Sequence, residues 1–60
     1  MNDELLILLK RLKQSKTFEL NANEFRLLDA HHYAEHKEHL KRCLAYVFEY
    51  VMKLIKQYNI

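Results

Sequence analysis

Apolar residues are placed along this chain in two different rhythms. Leu5, Leu8, Leu9 and Leu12 recur at the i, i+3, i+4, i+7 spacing of one helical face. The pattern predicts a first helix over about 3–15, with Asn2 or Asp3 as its N-cap. Asp3 and Glu4 stand at the positive end of its macrodipole, and Lys10, Arg11, Lys13 and Lys16 towards the negative end. Ile7 falls off the leucine stripe and is expected to stay exposed.

A second helix start is written more strongly. Asn21 and Glu24 occupy the N-cap and N3 positions of a capping box, and Leu20 and Phe25 the N′ and N4 positions of a hydrophobic staple. A helix beginning at Ala22 follows, after a connection of roughly 16–20 that suits a turn between antiparallel helices.

Beyond Ala22 no residue type forces a stop before Tyr58, so one long helix over about 22–58 is expected, about 55 Å at 1.5 Å per residue. The first helix is far shorter. Phe25 and Leu28 can face it, the stretch 29–39 is poor in apolar residues, and then a dense stripe begins. Leu40, Cys43, Leu44, Val47, Phe48, Tyr50, Val51, Leu54, Ile55 and Tyr58 make that stripe, and it has no partner left in a two-helix hairpin. Exposed apolar surface on this scale marks an association site. The expected fold is therefore all-α: a single domain over 1–60, an antiparallel hairpin that dimerises into a helical bundle. The alternative is a three-helix bundle with a break near 29–36.

Composition sharpens the need for a partner. Sixty residues form one domain, and a core this small is marginal unless a disulfide, a metal or a second subunit supports it. The chain has one cysteine, which excludes an internal disulfide and suits a reducing, cytoplasmic setting. Half the residues are apolar and 30% charged, too hydrophobic a balance for disorder, and neither Gly nor Pro occurs. No apolar run is long enough to span a membrane, and Asp3 and Glu4 occupy the place of a basic signal region.

The histidines carry the most unusual chemistry. His31, His32, His36 and His39 lie within nine residues, and His32 to His36 spell H-x-x-E-H, with Glu35 in the acidic place. A metalloprotease also needs a third ligand and a cleft, so no catalytic residue is assigned and no enzymatic activity is expected. His32, His36, His39 and Cys43 are spaced along one side of a continuous helix, and pairs of them could each supply half a zinc site. The opposing expectation is a solvated polar stretch whose histidines pair with Glu35 and Glu38, with no cofactor.

Net charge is +2 and the isoelectric point near 8.8, which permits nucleic acid without requiring it. Lys10, Arg11, Lys13 and Lys16 would form one basic patch, and Lys37, Lys41 and Arg42 another. The stretch Phe18-Glu19-Leu20-Asn21-Ala22-Asn23-Glu24-Phe25, preceded by a short helix, resembles the Hha family of small nucleoid-associated modulators. That likeness covers under a fifth of the chain and implies a helix, Glu-Leu turn and helix. The histidine-rich segment departs from the family's acidic-histidine-basic signature, so no functional residues carry over. As architecture, a hairpin dimer is similar to the Rop type of RNA-binding bundle. The function expected is that of a small regulatory or adaptor protein acting through helix–helix association, as a homodimer or with another protein partner. The alternatives are a DNA- or RNA-associated modulator and a metal-dependent helical assembly.

Overall fold

A computed structural model describes residues 3–60. Three α-helices follow one another, α1 (Asp3–Gln14), α2 (Ala22–His36) and α3 (Leu44–Gln57), with no strand among the described residues. The expected N-cap Asn2 lies outside the described residues. Asp3 is the first helical residue, and Leu5, Leu8, Leu9 and Leu12 are all buried, while Ile7 is 68% exposed.

The start of α2 is built as the sequence predicts. The Glu24 amide donates to Asn21 Oδ1 at 2.8 Å, and the Asn21 amide donates to Glu24 Oε1 at 3.1 Å. Two amides that the first turn of a helix leaves without intrahelical partners are thus satisfied. Leu20 and Phe25 are both half-buried and packed against the core.

The single helix expected over about 22–58 is two helices here. Residues 29–36, the expected alternative break, are helical, and the chain leaves the helix at Lys37 instead. Lys37 adopts the left-handed conformation, φ 58° and ψ 32°, and its amide donates to the Tyr33 carbonyl at 2.7 Å. Two side chains on α2 hold the returning strand of chain. Asp29 accepts from the Leu40 amide and from His39 Nδ1, the latter at 2.8 Å, and His32 Nδ1 donates to the Glu38 carbonyl at 2.8 Å. Residues 38–40 are thereby fastened alongside α2 rather than continuing it.

This reversal supplies the missing partner for the C-terminal stripe. Both α2 and α3 pack on α1, so the leucine face of α1 becomes the centre of the core. Leu9, Leu28 and Leu54 are 0% exposed, and Leu5, Leu40, Val47, Tyr50, Val51 and Ile55 join them. The longest dimension is 28 Å, half of what an unbroken second helix would span. The chain ends in a Schellman turn: Asn59, at φ 54°, donates to Lys56, and the Ile60 amide donates to the Ile55 carbonyl.

Candidate functional site

Side chains rather than close backbones join α2 to α3. His31 stands between Tyr50 of α3 and Tyr58, the residue that caps that helix, with Nδ1 2.8 Å from the Tyr50 hydroxyl and Nε2 3.1 Å from the Tyr58 hydroxyl. A neutral imidazole has one N–H and one lone pair, so one ring nitrogen donates to a tyrosine oxygen and the other accepts a hydroxyl proton. His32 is buried, and its ring lies edge-on to Tyr50 at 4.8 Å and 4.7 Å from the His36 ring. Because a carbonyl only accepts, the bond to Glu38 requires a proton on His32 Nδ1. Burial, with the neighbouring Glu35 charge and Tyr58, pushes the Tyr50 hydroxyl well above the ordinary tyrosine range, so it stays protonated.

Among the described residues, only His31 and Glu35 pair at the expected helical spacing; the contacts of Glu38 and Asp29 reach across the turn after α2. Glu35 lies 3.5 Å from His31 and 3.7 Å from His36, Glu38 lies 4.0 Å from His32 Nε2, and Asp29 takes His39. Burial alone would raise the Asp29 carboxyl. The hydrogen bonds from His39 and the Leu40 amide, with the charges of His39 and His32, outweigh that and hold it below its ordinary value.

The four residues considered for zinc are not brought together. Only His32 and His36 meet. His39 lies in the non-helical connection, stacked on Tyr33 at 4.7 Å, and Cys43 precedes α3 as an exposed thiol. The expectation that all four share a helix side is corrected here, because residues 37–43 are not helical. Among the described residues, no three His, Cys, Asp or Glu side chains form a set able to hold a metal ion.

The basic residues are partly committed within the chain. Arg11 pairs with Glu24 at 2.6 Å and donates to the Glu19 carbonyl, and Lys13 donates to the Ile60 carbonyl. Arg42 lies 4.8 Å over the Phe25 ring, a cation–π contact. Lys37 forms the left-handed cap of α2, and Lys10, Lys16 and Lys41 are exposed. The two sequence clusters therefore do not present seven free cations on one surface.

The residues of the C-terminal stripe fall into two groups. Leu40, Val47, Tyr50, Val51, Leu54 and Ile55 are buried inside this chain, and Tyr58 is half-buried. Their burial corrects the expectation that the stripe has nothing in its own chain to pack on. Leu44 and Phe48 remain 65% and 45% exposed. Met52, 39% exposed, follows at the same four-residue step, so Leu44, Phe48 and Met52 form a ridge on the outer edge of α3. Phe18, from the α1–α2 connection, extends that ridge by an edge-on contact with Phe48 at 5.2 Å. A hollow beside it is lined by Phe18, Leu44, Ala45, Phe48 and Glu49, and a second by Phe48, Glu49, Met52, Lys53 and Lys56. Phe18 and Met52 were not among the expected interface residues. The i, i+4, i+8 spacing of Leu44, Phe48 and Met52 was the available signal for Met52, while nothing in the sequence places Phe18 beside Phe48.

No protein-family model, no curated protein and no solved structure matches this chain. No helix among the described residues is long and apolar enough to cross a membrane.

Proposed function

We propose that this is a small regulatory or adaptor protein that acts through helix–helix association rather than by catalysis, using the outer face of α3. The ridge of Leu44, Phe48 and Met52, left in water after the core is complete, carries the reading. Single exposed apolar residues are ordinary on protein surfaces, but a contiguous apolar strip with Phe18 beside it is the kind of patch that marks an interaction site. A regular helical face suits this role, since it offers side chains at fixed intervals to a second helix.

Site-specific photo-cross-linking in the cells that make the protein tests this. A photoreactive residue at position 52 is expected to give covalent polypeptide adducts, and one at Gln14, at the end of α1, is expected to give none. Absence of any polypeptide adduct from position 52 would refute the association reading.

A further inference from the structure

Building on that association reading, we infer that the partner of the outer α3 face is a second copy of this chain, paired antiparallel about a two-fold axis. In this arrangement Phe48 of each copy crosses Met52 of the other. The residues along the rim give the reason. Glu49 lies beside Phe48, and Lys53 and Lys56 follow towards the C-terminal end of the same helix. None of the three has an ion-pair partner among the described residues. An acidic group one turn before Lys53 and two turns before Lys56 lets the strip meet a reversed copy of itself with unlike charges on the same flank.

Helix geometry puts these charges in register. With the axis midway between Phe48 and Met52, at the level of Tyr50, Glu49 lies one residue to one side of it and Lys53 three to the other. Reversal of the second copy brings its Lys53 to the same side as Glu49, two residues or about 3 Å away in height. The two-fold makes the contact twice. A parallel pairing would instead carry the charged flanks of the two copies to opposite sides of the interface, where Glu49 meets no lysine. The apolar part fits the same register. Ala45 leaves the hollow between Leu44, Phe48 and Glu49 shallow-walled, and the unbranched Met52 of the second copy faces it as a knob faces a hole.

Sedimentation of the full chain over a range of concentrations tests the pairing. The wild type is expected to reach a dimer by the high-micromolar range. Glu49→Lys alone, and Lys53→Glu with Lys56→Glu, are each expected to weaken that dimer by about tenfold or more, since each sets like charges together. An equimolar mixture of the two variants is expected to restore it, because each then meets the opposite charge. These positions are exposed, so helix content measured by circular dichroism should match the wild type in every sample. Two results would overturn the proposal: a wild type that stays monomeric to about 1 mM, or variants whose mixture associates no better than either alone. A monomeric protein that still gives heterologous adducts from position 52 would remove the second copy as partner and leave the association reading standing.

Discussion

Lys37 occupies the conformation that a helix C-terminus ordinarily gives to glycine. A side chain with a Cβ in the left-handed region costs roughly 1–2 kcal/mol. The fold bears that cost because the chain beyond Lys37 is fastened by Asp29 and His32 and delivers a buried stripe. Lys37→Gly is therefore expected to raise the stability by about 1 kcal/mol, since glycine takes this conformation freely. The sign of the result is informative. In a helix that continued through position 37, the same substitution would cost about 1 kcal/mol. Denaturant unfolding of the two proteins decides between them.

The reversal between α2 and α3 depends on a clamp rather than on turn residues. Asp29 holds the Leu40 amide and His39, and it does so as a carboxylate. Its folded pKa lies below the ordinary value, so the unfolded chain binds a proton more readily than the folded one. The resulting stability is present above the unfolded pKa, about 3.9, and is lost as pH falls through the lower folded value. Asp29→Asn lacks this titration. The stability gap between wild type and Asp29→Asn is expected to close as pH falls below about 4. Chemical denaturation across that range measures it, and a gap that does not narrow would mean the carboxylate charge does not support the clamp. At the same scale, α3 begins weakly: its N-cap is Cys43, with no side-chain hydrogen bond. The helix owes its position to burial of its inner face.

For the whole molecule, three short helices share one small core centred on α1. At 0.05–0.15 kcal/mol per residue, a domain of this size holds only about 3–9 kcal/mol. Leu54 is 0% exposed at the heart of that core. Leu54→Ala is expected to cost about 2–5 kcal/mol, enough to leave much of the protein unfolded at room temperature. Met52→Ala, one residue pair away in sequence but on the outer face, is expected to stay within about 0.5 kcal/mol of the wild type. Circular dichroism melts of the two variants test this division of α3 into a structural and a free side. Equal losses would show that the outer ridge belongs to the core.

Local chemistry was legible from the residues alone. The leucine face of α1, the capping box of Asn21 and Glu24, the exposure of Ile7 and the all-helical character each depend on neighbours within one or two turns, and periodicity and capping report such neighbours directly. The end of α2 was not legible, because without Gly or Pro nothing local marks a stop, and Lys37 takes its conformation under contacts that reach from Asp29 and His32 to Glu38, His39 and Leu40. The stripe of α3 shows in the sequence as apolar surface to be covered, but a sequence cannot say whether its own chain or another covers it. Tertiary structure decided that Val47, Val51 and Leu54 pack inward beside α1, and that Leu44, Phe48 and Met52 are what remains outside. The same fold-back separated His39 and Cys43 from His32 and His36, since a helix side exists only where the helix does.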